Sequence, residues 1–179
     1  MPDCWRFAVR LQVAVCLLAG LAACGTPVAR QHSVHLHVVA SSKLNPDRDG
    51  RPSPVIVRVY QLAEADDFRQ AGFFDLYERD KPLLGNALLF RSVLAVRPGQ
   101  RLALDQALVP NARYLAVLVA YRDIYRARWR SVVKLPRNRD GSWLLTLHAG
   151  QLTVASLDGK DHKNNDDGSA TEGKDVLEQ

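Results

Sequence analysis

Residues 33–40 read SVHLHVVA and residues 55–62 read VIVRVYQL. In the first stretch Val34, Leu36, Val38 and Ala40 fall on one side, with Ser33, His35 and His37 on the other. Side chains on a strand point to opposite faces with period two, so this is a half-buried strand. The second stretch repeats the pattern, with Val55, Val57 and Val59 expected inward and Arg58 outward. Leu102 and Leu104 alternate in the same way with Arg101 and Asp105. The run 114–120, YLAVLVA, is apolar throughout, as expected of a central strand covered on both faces. Further strands are expected near 87–96, 129–135, 143–149 and 151–157, several of them separated by the turn pairs Pro98-Gly99, Pro110-Asn111, Asp140-Gly141 and Ala149-Gly150. Many short strands punctuated in this way imply a mainly β fold, a two-sheet β-sandwich.

One segment breaks the alternation. Residues 64–80 read EADDFRQAGFFDLYERD. Acids at its start favour a helix dipole, which also accounts for the pair Asp66-Asp67 without catalysis. Phe68 and Ala71, then Phe73, Leu76 and Tyr77, recur at helical spacing. Gly72 is expected to divide two short helices, a helical insertion that caps an open end of the sandwich with Phe68, Phe73 and Phe74.

Between the first two strands lies 41–54, SSKLNPDRDGRPSP, fourteen residues joining strands expected to be adjacent. Hairpin loops take about two to five residues, and structureless loops beyond about 12–15 are usually functional or disordered. Pro46, Pro52 and Pro54 restrict this loop, Asn45, Asp47 and Asp49 can form Asx-turns, and Gly50 permits positive φ. A loop stiffened in this way loses less entropy on docking. Arg48 and Arg51 supply donors for carboxylates. Two other readings stand beside docking: an inert long turn, or calcium held by Asn45, Asp47 and Asp49. Against calcium, Ile56 stands where an EF-hand needs its glutamate and Pro46 fills the second position.

The ends of the chain differ in kind from the middle. Arg6 and Arg10 precede an apolar run over 11–23 that is interrupted by Gln12. A spanning helix needs roughly 18 or more apolar residues, so this run reads as a secretory leader. It ends in Leu21-Ala22-Ala23-Cys24, which resembles the lipobox of bacterial lipoproteins. On that reading residues 1–23 are removed, Cys24 is lipidated, and 24–30 form a tether to a domain at 31–157. Each buried methylene adds about 0.8 kcal/mol, and stable anchoring takes more than one chain. An ordinary leader cut elsewhere is the alternative. Gly25, where an Asp favours inner-membrane retention in enterobacterial lipoproteins, leans toward the outer membrane. Cys4 and Cys16 lie in the leader, so the mature chain has no disulfide and no free thiol nucleophile. Residues 158–179 hold seven acids and three lysines with almost nothing large and apolar, and are expected to be a disordered acidic tail. Residues 24–157 carry 19 bases against 11 acids, which suits acidic headgroups, an acidic partner or simply a solvated surface. No arginine–aromatic pattern here is read as a nucleic-acid site, and export argues against one.

Catalytic patterns are scarce. His35 and His37 share a strand face, but zinc needs a third ligand, and histidines on a solvated face explain them equally. No Gly-x-Ser-x-Gly elbow, HExxH helix or phosphate loop occurs. Neither an enzyme nor a cofactor is expected.

The motifs NPDRDGRPSPVIVRVYQL at 45–62, F..AGFFDLYERD...LG from Phe68 to Gly85, Pro98-Gly99 before a strand, and YRDIYRARWR at 121–130 together resemble the TssJ (VasD/SciN) family of type VI secretion lipoproteins. The resemblance runs from the lipobox to about residue 157 and leaves out the tail. It implies a transthyretin-like β-sandwich with added helices and a non-enzymatic role at the outer membrane. Family members bind the periplasmic C-terminal domain of the inner-membrane protein TssM, in a complex with TssL, through the loop between the first two strands. Carried over to this chain, the contact residues are Asn45, Pro46, Asp47, Arg48, Asp49, Gly50, Arg51, Pro52, Ser53 and Pro54, with Asp47, Arg48 and Arg51 the leading polar contacts. Arg122-Asp123 and Trp129-Arg130 match the family's RD…WR stretch. We expect a local Arg122–Asp123 pair and a packed Trp129. A periplasmic β-sandwich lipoprotein that binds a glycan or small ligand is the alternative function.

Overall fold

A computed structural model describes residues 31–158 apart from Asn138. The expected leader, Cys24, the tether at 24–30 and the tail beyond Asp158 lie outside the described residues. The strands are β1 (Ser33–Ala40), β2 (Val55–Leu62), β3 (Leu88–Val96), β4 (Arg101–Ala107), β5 (Tyr114–Val119), β6 (Arg130–Lys134), β7 (Gly141–His148) and β8 (Gln151–Ser156). Between β2 and β3 the chain forms helices α1 (Asp66–Gln70) and α2 (Phe73–Leu84) and a 3-10 turn at Gly85–Ala87. The strands make two four-stranded sheets, ordered β4-β1-β7-β8 and β3-β2-β5-β6. The fold is the expected mainly β, two-sheet sandwich with a helical insertion.

Period-two alternation builds the core between the sheets. Val34, Leu36 and Val38 of β1 meet Val55, Val57 and Val59 of β2, together with Leu115, Val117 and Val119 of β5 and Leu145 and Leu147 of β7. β5 is buried on both faces, as its apolar run predicts: its odd positions join this core while Ala116 and Leu118 join a second cluster. Gln61, fully buried, closes one end of the core. Its amide donates to the Ala107 carbonyl at 2.9 Å and accepts from the Val109 N–H at 2.9 Å, so no polar atom of its side chain is buried without a partner.

Two expectations about the middle of the chain are corrected. First, the helices do not cap an end of the sandwich. They lie on the outer face of the β3-β2-β5-β6 sheet, where Phe68, Leu76 and Leu84 pack on Tyr60, Leu62, Ala116 and Leu118. Phe74, expected in the cap, is 54% exposed. Second, Arg58 does not face water. It points outward from its sheet into the helix layer, where its guanidinium donates to the Tyr77 carbonyl at 2.7 Å and approaches Asp80 at 3.4 Å. Asp80, only 4% exposed, also accepts from Arg91 of β3 at 2.6 and 2.8 Å and from the Tyr60 hydroxyl at 3.2 Å. Burial pushes the Tyr60 phenol up to about 12. On the other side of the layer Arg130 donates to the Phe68 and Ala71 carbonyls at 3.2 and 2.7 Å, which satisfies acceptors that a helix C-terminus leaves open. Trp129 packs edge-on against Phe73 at 5.3 Å, as expected of a packed anchor. α2 also runs past Asp80 to Leu84 with Pro82 inside it, and it is kinked at Arg79 (φ −132°, ψ 33°). Pro82 falls in the first turn after the kink, where its missing N–H breaks no helical bond.

Gly141 opens β7 under the indole of Trp143. A Cβ at this position would stand 2.3 and 2.7 Å from two Trp143 ring carbons and 3.0 Å from Pro136 Cγ. Gly141→Ala is therefore expected to displace a ring that is 3% exposed and to destabilise the domain by about 1–3 kcal/mol, the usual cost of overpacking; urea unfolding measures it, and a loss below the error of that measurement would show that the ring moves freely.

Candidate functional site

The loop at 41–54 is not a hairpin connection. β1 and β2 lie in different sheets, so the chain crosses the end of the sandwich here, and that crossing explains part of its length. The loop is built in two storeys. Its base is buried: Leu44 is fully covered within the core and Asn45 is 7% exposed. The Asn45 N–H donates to the Ala149 carbonyl at 2.8 Å. Its side-chain amide donates to the Pro54 carbonyl at 3.0 Å and to Ser53 Oγ at 3.3 Å, and its Oδ1 accepts from the Arg122 N–H at 2.8 Å. Asn45 has φ 46°, a left-handed conformation that asparagine tolerates better than most residues.

The tip is closed by Asp47. Its Oδ1 accepts from the Asp49 and Arg51 N–H groups, each at 2.9 Å, while its Oδ2 accepts from Arg51 Nε at 2.9 Å. Arg51 reaches Asp49 as well, at 2.6 Å. The Gly50 N–H donates to the Asp47 carbonyl at 3.0 Å and Gly50 takes φ 77°, which a β-carbon would disfavour. The Arg51 backbone N–H beside Asp47 holds its carboxyl below the usual range. The Asx-turn expected of Asp47 is thus present, and its carboxylate and that of Asp49 are taken up by donors of the loop itself.

The ten residues from Asn45 to Pro54 therefore divide by role in the fold. Asn45 holds the base. Asp47, Asp49 and Arg51 close the tip on one another. Pro46, Arg48, Gly50, Pro52 and Pro54 are exposed, and Ser53 is half-buried with its hydroxyl on the Asn45 carbonyl. Among the described residues the Arg48 side chain makes no ion pair. The expected Arg122–Asp123 pair does not form; Asp123 faces Arg126 at 3.8 Å, and Arg122 is instead tied by its backbone to Asn45. His35 meets Asp105 at 2.7 Å, and among the described residues no three His, Cys, Asp or Glu side chains converge as metal ligands. A surface depression of about 520 Å³ lies between the end of α2 and β3, lined by Lys81, Gly85, Leu88, Leu89, Phe90 and Arg91. Phe90 is its single aromatic, which gives a sugar little to stack on. Among the described residues no helix is long and apolar enough to cross a membrane.

The family described as "Type VI secretion lipoprotein, VasD, EvfM, TssJ" matches residues 32–154, from the start of β1 into β8. The chain belongs to this family of type VI secretion lipoproteins. Among solved structures, it is similar to the T6SS lipoprotein TssJ1 from Pseudomonas aeruginosa, at 29% identity and a TM-score of 0.69, over 71% of this chain and 97% of that one. It shares its fold with Serratia marcescens Lip, described as a membrane bound component of the type VI secretion system, at 24% identity and TM-score 0.65, over 70% and 97% of the two chains. It also shares its fold with a chain of a structure described as the T6SS protein TssM C-terminal domain from EAEC, at 23% identity and TM-score 0.58, over 70% and 98%. A comparison with curated proteins returns no match.

Proposed function

We propose that this type VI secretion lipoprotein is held in the outer membrane by acyl chains on Cys24 and docks the periplasmic C-terminal domain of TssM, within a complex that includes TssL, through residues 45–54. The observation that carries the reading is the closed loop itself. A crossing loop with a core-buried base and an internally bonded tip presents Arg48 and three prolines in a fixed shape, so little ordering entropy is lost on docking. Family membership and the structure described by its TssM C-terminal domain support the choice of partner.

The test is copurification from the native bacterium's membranes. Wild-type protein is compared with a variant whose residues 45–54 are replaced by a Gly/Ser linker and with Cys24→Ser. Wild type is expected to bring down TssM from the outer-membrane fraction. The linker variant is expected to stay in that fraction without TssM, and Cys24→Ser is expected to become soluble. Circular dichroism checks that both variants fold. TssM retained equally by the linker variant would move the contact elsewhere on the domain.

A further inference from the structure

We infer that the docking surface extends beyond the 41–54 loop to residues 120–129, with Tyr125 as its anchor and an acidic protein surface as its occupant; this rests on the docking reading above. Tyr125 is 89% exposed, although aromatic rings gain most when buried. It stands on a well-held segment. The Arg122 N–H is bonded to Asn45 Oδ1 at 2.8 Å, the Arg128 N–H to the Gly150 carbonyl at 2.9 Å, and the Arg126 N–H closes a turn on the Asp123 carbonyl at 3.3 Å. Tyr125 therefore projects from a braced turn that shares its footing with the docking loop. A ring of this kind, with only two side-chain torsions to freeze, is a common centre of binding energy.

Charge identifies the occupant. The loops 41–54, 97–100 and 120–129 gather at one end of the sandwich, since the Gly99 N–H bonds the Ser41 carbonyl and the Asn45 N–H that of Ala149. These three segments hold seven bases and three acids, and two of the acids are already paired with Arg51. At the opposite end, where the chain enters β1, the segments 63–65, 108–113, 135–140 and 157–158 hold three bases and three acids. The excess positive charge thus gathers at the end of β1 opposite Ser33, away from it by the length of an eight-residue strand, about 26 Å. That end carries the docking loop, so its basic surface faces the docked partner, and complementarity requires that partner to be acidic.

The test measures binding of the full chain, in detergent, to the TssM periplasmic C-terminal domain of the same bacterium, with vesicles of phosphatidylglycerol and phosphatidylethanolamine as the second probe. Tyr125→Ala is expected to weaken TssM binding about 30-fold or more, the scale of an interface hot spot. Arg122→Glu with Arg126→Glu is expected to weaken it at least about tenfold and to flatten its dependence on salt. Circular dichroism should stay unchanged for residues this exposed. Wild-type binding with Tyr125→Ala within about twofold overturns the inference and leaves the docking loop in place. Vesicle binding that is lost in Tyr125→Ala while TssM affinity holds overturns it in favour of lipid. No TssM binding by wild type overturns both this inference and the docking reading.

Discussion

Asp80→Ala should cost the domain about 3 kcal/mol, the lower end of the range for breaking a buried ion pair, because Arg91 keeps 30% of its side chain exposed while Arg58 keeps 15%. The carboxylate is the shared acceptor for both guanidinia and for the Tyr60 hydroxyl. Hydrogen bonding to it raises the pKa of Arg91, which holds that guanidinium in its charged form. Without Asp80, two cations face each other under the helix layer, and the Tyr60 hydroxyl loses its partner. Asp80→Asn should cost less, because an amide oxygen still accepts one or two of these bonds. Urea unfolding followed by circular dichroism measures both. A loss under about 1 kcal/mol for Asp80→Ala, within the range of an exposed pair, would show that apolar cover alone holds the helices to the sheet.

Asn45→Ala should act on stability and on docking together. The substitution leaves the Arg122 N–H and the Pro54 carbonyl without their partner, in a region where Asn45 is 7% exposed. A buried group left unpaired costs about 1–3 kcal/mol; these two bonds are part-buried, so each counts at the lower end, and alanine fits the φ of 46° less well than asparagine. The expected result is a stability loss of about 2–3 kcal/mol together with weakened TssM binding, because the base positions both the tip and the Arg122 backbone. Unfolding and affinity measured on the same preparation separate the two effects. An affinity loss with no change in stability would make Asn45 a direct contact rather than a brace.

The strands were legible because their chemistry is one-sided. β1 matches the predicted 33–40, β2 matches 55–62, and the apolar run of β5 announced a strand covered on both faces. The position of the helices was hidden by Arg58 and Arg91. An arginine in an alternating strand reads as a solvent face, yet here those residues carry the bonds that hold α2 to the sheet. The carbonyl of Tyr77 and the carboxylate of Asp80 that accept from Arg58 lie about twenty residues away, beyond any local pattern. The sandwich crossing by 41–54 was hidden because sheet membership is set by long-range pairing: β1 lies between β4 and β7, while β2 lies between β3 and β5. Within the candidate site, the Asx-turn of Asp47 and the freedom required at Gly50 could be read directly. The brace at Asn45 depends on Arg122, 77 residues away, and left no signal near it. Tyr125 lies within the YRDIYRARWR stretch, but only exposure distinguishes it from Tyr121, which is 4% exposed in the core.

β1 has a further consequence for a protein fixed at both ends. In the docked assembly proposed here, the tension between the two membranes that the loop 41–54 carries enters at Ser33 and leaves through the loop that begins at Ser41, so that share of it runs along a single strand. That strand is already extended at about 3.3 Å per residue, close to the limit of about 3.3–3.6 Å for any chain. Peeling it from its neighbours would release almost no length, and a force does little work over so short a distance. The direct succession of tether, strand and loop therefore lets this domain carry load through its covalent backbone, with little mechanical incentive to unfold.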